Sequence, residues 1–122
     1  MDPIVSLQGR TIVVTGAGQG IGKGIVELAI ELGANVVAVD LNDQTLDAAV
    51  SPLPQARVLA EQGSVADPAV ADRAVTEAVA KFGAVHGLVN NAGIIRPAMI
   101  DKMTDQQWQE VIDVHLTGSF YW

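Results

Sequence analysis

The sequence predicts an α/β fold, a doubly wound parallel sheet with helices on both faces. Short apolar runs alternate with helical patterns in the order βαβαβαβα. Strands joined by helical crossovers pair in parallel, with right-handed connections. The strands are apolar on consecutive residues, as expected when both sheet faces are covered. The first strand also runs into a glycine-rich turn that opens a helix, and the second strand ends on an acid.

The elements follow in order. Thr11–Thr15 is a β-branched run that ends in glycines. Residues 20–32 carry Ile21, Ile25, Leu28, Ala29 and Leu32 at helical spacing, and Gly33 follows as a C-terminal cap. Asn35–Asp40 is the second strand. Asn42 is placed to N-cap a helix with Leu46, Ala49 and Val50 on one face. Ser51, Pro52, Leu53 and Pro54 form a loop, and residues 56–61 read as a weaker third strand. Asp67 followed by Pro68 is a strong helix start, with Val70, Ala74, Ala78 and Phe82 as the buried stripe and Gly83 as the stop. Residues 85–90 form the fourth strand. Thr104, Asp105, Gln106 and Gln107 read as a capping box that opens a helix with Trp108, Val111, Ile112, His115 and Ser119 on one face.

Composition narrows the function. The 122 residues fit one domain large enough for a real core, and 49% are hydrophobic. There are no cysteines, which removes disulfides, thiolate metal sites and a cysteine nucleophile. His86 and His115 lack metal-ligand spacing, so no metal is expected. A net charge of −7 and an isoelectric point near 4.5 argue against nucleic acid and anionic membrane as partners. The opening MDPIVSLQGR does not read as a signal peptide, and no run approaches the ~20 apolar residues of a membrane span. A cytoplasmic protein is the expectation.

The turn after the first strand reads TGAGQGIG, residues 15–22. A strict G-x-G-x-x-G fails because position 21 is Ile; the glycines fall at 16, 18, 20 and 22. Such a segment still permits a tight turn and close backbone approach to a pyrophosphate, and the helix behind it offers unpaired N–H groups. Alone it is equally an ordinary glycine-rich turn. Asp40 lies 18 residues beyond Gly22, where a carboxylate accepts hydrogen bonds from an adenosine ribose and repels a 2′-phosphate. With no Arg or Lys at positions 17–19 or 41–42, NAD is favoured over NADP. The bland alternative for Asp40 is a solvated strand-end acid.

The fourth strand ends in Asn90-Asn91-Ala92-Gly93. Together with Thr15, Gly16, Gly20, Ile21 and Gly22, this resembles the short-chain dehydrogenase/reductase family, in order and spacing, over about residues 6–122. The stretch from Asn90 to Trp122 is most similar to 3-oxoacyl-carrier-protein reductase-like members. The resemblance implies a Rossmann sheet in strand order 3-2-1-4. It also implies NAD(P) binding, and hydride transfer between the nicotinamide and a carbonyl or alcohol carbon of a small-molecule substrate. Carried over, Gly16, Gln19, Gly20, Ile21 and Gly22 would line the pyrophosphate and ribose, and Asp40 and Leu41 would face the adenosine. Asn91, Ala92 and Gly93 would pass beneath the middle ribose with Val114 nearby, and Asn90 would brace the sheet. At the adenine, where the family has an Asp-hydrophobic pair, this chain has Ser64 and Val65; Ser64 is shorter and uncharged. Where the family has a catalytic Asn, this chain has His115, either a relay residue or a satisfied core histidine.

The family's chemistry needs a tyrosine with a lysine four residues later, because free tyrosine titrates near pH ~10, and a serine to orient the substrate. Tyr121 is the one tyrosine, and it reads as packing. By resemblance the Ser, Tyr and Lys lie downstream. The expectation is thus a single NAD(P)-binding domain over 1–122, truncated at its C-terminal side, from an oxidoreductase. The alternative is a catalytically inactive dinucleotide-binding fragment, or an interaction module. Either would form a homo-oligomer through the open fourth strand or the last helix with Trp108, Phe120 and Trp122.

Overall fold

The computed structural model describes residues 5–94, 96 and 98–122. Its four strands are β1 (Thr11–Thr15), β2 (Asn35–Asp40), β3 (Val58–Gln62) and β4 (Gly87–Val89). They form one parallel sheet in the order β3-β2-β1-β4. Helices α1 (Gly20–Glu31) and α2 (Asp43–Val50) cover one face. Their core joins Val14, Val26, Ile30, Val36, Ala38 and Leu46. Helix α3 (Pro68–Phe82) covers the other face over Val13, Val37 and Val39, and Trp122 packs against the same cluster. Val36 to Val39 are all fully buried, which is why β2 reads as an unbroken apolar run. The last helix comes in three pieces: α4 (Asp105–Ile112), a π-helical turn over Asp113–Thr117, and α5 (Gly118–Tyr121).

The start and stop signals act as the sequence implies. Asn42 caps α2 by accepting from the Thr45 amide, Asp67 caps α3 with Pro68 at its first position, and Gly83 ends α3 at φ 90°. The capping box of Thr104 and Gln107 is complete.

Four details depart from the sequence reading. On α1 the sheet takes Gly22, Val26, Ala29 and Ile30, while Ile21 is 77% and Leu28 55% exposed. The helix has two apolar stripes, and Gly22 in the inward one lets it approach the backbone of Gly16, just after β1, more closely. The third strand starts at Val58, because residues 55–57 wind a 3-10 turn held by Gln55 Nε2 on the Leu53 and Val50 carbonyls. The fourth strand spans only three residues. His86 continues its pairing by other means: its backbone N–H donates to Thr11 O, and its Nδ1 accepts from Thr11 N at 2.9 Å. The π turn breaks the expected single face of the last helix. Trp108 is exposed, Trp122 is packed inward, and only Gly118 is fully buried, against Val65.

Glu61, on β3, is 5% exposed and paired with Arg73 at 2.9 Å. Burial, and then a hydrogen bond with Glu77, push its carboxyl above the usual range, against the opposing pull of Arg73. No helix among the described residues is long and apolar enough to cross a membrane.

Candidate functional site

A cleft of about 670 Å³ opens at the carboxyl ends of all four strands. Ligands of open α/β sheets bind there, and the size suits an organic ligand. The turn after β1 forms its floor. Gly16 and Gly20 adopt positive φ of 66° and 59°, so the turn reverses without the cost a side chain would impose. A Cβ on Gly22 would lie 2.1 Å from Gly16 O and 2.6 Å from Asn91 Nδ2. Glycine there sets how closely α1 meets the turn. Gln19 caps α1 without a side-chain hydrogen bond, and no acid stands in the first turn. The start of the helix, where Gln19, Gly20 and Ile21 line the cleft, therefore carries no acid of its own beside its leading N–H groups.

Thr15 ties the floor to the wall. Its hydroxyl is buried, accepts from the Asn91 and Ala92 amides at 3.1 and 3.0 Å, and donates to Val89 O. Asn91 Nδ2 donates in turn to Thr15 O and Gly16 O. The bracing role expected of Asn90 thus falls to Asn91, and Asn90 is exposed.

Asp40 stands at the tip of β2 with its carboxylate fixed. Oδ2 accepts from Gly18 N at 2.8 Å and Oδ1 from Asn42 N at 3.1 Å. Each oxygen keeps a further lone pair for a ligand hydroxyl. Ser64 Oγ accepts from Ala66 N, which leaves its own proton to donate.

Of the residues singled out from the sequence, Gly16, Gln19, Gly20, Ile21, Asp40, Leu41, Ser64, Val65, Asn91, Ala92, Gly93 and Val114 line this one cleft. Gly22 lies beneath the floor, and His115 stands behind the wall. His115 is exposed, with Nε2 3.0 Å from Ile94 N and 2.8 Å from Ile94 O, so it is not a core histidine. Asn42, Gly63 and Ile94 also line the cleft and were missed. Gly63 carried a readable signal, a glycine directly after a strand. A Cβ there would meet Val70 at 2.6 Å. Tyr121 lies in α5 beside Phe120, outside the cleft lining. Among the described residues no three His, Asp or Glu side chains gather as a metal site.

A family model described as short chain dehydrogenase matches residues 10–122. The chain is 38% identical over 117 residues to a 3-oxoacyl-[acyl-carrier-protein] reductase of Thermotoga maritima, covering 93% of this chain and 47% of that protein. It superposes on a short-chain dehydrogenase/reductase of Brucella melitensis with a TM-score of 0.93 and 35% identity, covering 96% of this chain and 50% of that one. A 3-ketoacyl-(acyl-carrier-protein) reductase of the same organism, complexed with NADH, gives 0.89 and 32%, covering 95% and 48%. The chain spans about half the length of the curated relatives it matches.

Proposed function

The chain belongs to the short chain dehydrogenase family, and from that premise we propose that its cleft binds a nicotinamide dinucleotide, NAD in preference to NADP. The observation that carries this reading is the Asp40 carboxylate, held at the cleft edge by two backbone N–H groups. It accepts ribose hydroxyls and opposes a 2′-phosphate. The glycine floor and the N-terminus of α1 suit the pyrophosphate, Leu41, Ser64 and Val65 the adenine end, and residues 91–93 with Val114 the middle ribose. A bound nicotinamide would supply hydride exchange with a carbonyl or alcohol carbon. A short-chain reductase or dehydrogenase acting on a small molecule, 3-oxoacyl-like in class, is the activity proposed for the whole protein. These 122 residues contain no tyrosine followed four positions later by lysine, so for this chain the reading is one of binding. A cytoplasmic setting is part of it, supported by the net charge of −7.

The test is calorimetric titration of the 122-residue chain with NADH and with NADPH. Saturable one-to-one binding that favours NADH is expected. Absence of binding at millimolar NADH, or a preference for NADPH, overturns the reading. A second reading, self-association, is favoured by the exposed stripe of Trp108, Leu116 and Phe120 along the last helix. Sedimentation of F120S against the parent chain decides it: a shift toward monomer is expected, and a parent that is monomeric at every concentration refutes it.

A further inference from the structure

We propose that His115 is a positioning residue for the dinucleotide, a latch that sets the cleft wall at Gly93 and Ile94; this rests on the dinucleotide reading above. Ile94 lies outside strand and helix, so no ladder fixes it. The His115 ring takes that place. Its Nε2 is within hydrogen-bond distance of both the amide and the carbonyl of Ile94. A single ring nitrogen accepts or donates but does not do both at once. One neutral tautomer therefore accepts from Ile94 N–H and the other donates to Ile94 O, and both hold the backbone in the same place.

Two neighbours show that the approach is built in. A Cβ on Gly93 would lie 2.6 Å from His115 Cε1 and 3.2 Å from Nε2, so glycine is what admits the ring. The π turn holds one residue more per turn than an α-helix. It places Val114 in the cleft lining while the next residue, His115, bonds the wall. Ser119 Oγ donates to His115 O at 2.8 Å, which ties down the backbone of the turn. The ring is committed to the wall, a task distinct from carrying protons.

The experiment is NADH titration of the full chain and of H115L, H115Q, G93A and G93A/H115L, with amide hydrogen exchange at Ile94. H115L and G93A should each weaken NADH about 3- to 10-fold, the worth of one hydrogen bond. H115Q should bind within about twofold of the parent, because its amide reaches as far as Nε2 and offers an acceptor and a donor on separate atoms. The double variant should bind no worse than the weaker single one, since both break the same latch. Exchange at Ile94 should quicken in H115L and recover in H115Q. Parent-like NADH binding by H115L, failure of H115Q to recover, or additive losses in the double variant would each overturn the latch. H115Q and G93A keep the test open if H115L does not fold. A parent chain that binds no NADH overturns the dinucleotide reading itself; binding that ignores H115L overturns only the latch.

Discussion

Gly22 and Gly24 stand two residues apart on α1, and replacing each by alanine should give opposite results. At Gly24 nothing lies within 4 Å of an added Cβ, and its φ is not positive. Alanine there gains only helix propensity, so G24A should stabilise the fold by about 0.5–1 kcal/mol. At Gly22 the same propensity gain meets a backbone oxygen at 2.1 Å, whereas ordinary contact begins near 3.4 Å. The helix must retreat by about 1.3 Å, and contacts that fall off so steeply with distance do not survive such a shift. Overpacking of this kind costs about 1–3 kcal/mol, and the blocking atom is backbone that cannot rotate aside. The retreat also pulls at Asn91 Nδ2, whose bonds to Thr15 O and Gly16 O join floor to wall. The clash outweighs the propensity gain, so G22A should lose about 1–2 kcal/mol net and most of its NADH binding. Urea unfolding with a common slope, plus NADH titration, reads both effects. If G22A proves as stable as G24A, or retains parent affinity, the close approach of α1 is not what shapes the cleft floor.

Three further outcomes are expected. D40S should weaken NADH by about tenfold while narrowing its advantage over NADPH, since a charge-assisted bond and a repulsive charge go together; an unchanged NADH to NADPH ratio in paired titrations would remove Asp40 from the selectivity argument. H86A leaves the Thr11 amide without its acceptor and should cost about 1 kcal/mol, with faster exchange at Thr11; unchanged exchange there would show that the imidazole does not pair the strand. Burial raises the pKa of the Glu61 carboxyl above the 4.5 of an unperturbed glutamate, so it holds its proton more tightly folded than unfolded. Its contribution to stability is full below that value and is lost as pH rises through the folded one; E61Q should therefore flatten the decline of stability with pH above 4.5 in urea melts, and an identical slope would count against it.

The fold was legible where local chemistry and tertiary demand agree. Asn42, Asp67, Gly83 and the Thr104–Gln107 box are short-range signals, and each does its expected work. The cleft was legible because its lining sits on strand ends whose order the glycine turn and Asp40 mark. The misreadings share one cause: a neighbour that periodicity does not register. Ile21 and Leu28 look like a core stripe, but the sheet selects the stripe that carries a glycine. The π turn adds a residue to a turn and so shifts the residues after Ile112 off the face expected from a period of 3.6. Residues 85 and 86 look like strand, yet one of the two bonds His86 makes to β1 runs through a ring nitrogen. Thr15 escaped notice as an organiser because its hydroxyl acts on amides 76 and 77 residues away.

The order β3-β2-β1-β4 also bears on how the chain is made. Among the four strands described, β1 is an inner one, and the neighbour on its far side, β4, follows about 75 residues later. At ordinary translation rates that interval is on the order of 4–15 s. Through it, β1 can pair with β2 across α1 while its other side, from Ile12 to Val14, keeps unmatched amides and carbonyls. Vectorial synthesis thus leaves one side of β1 open through that interval, and a chaperone that covers Ile12 to Val14 would shield it until β4 arrives.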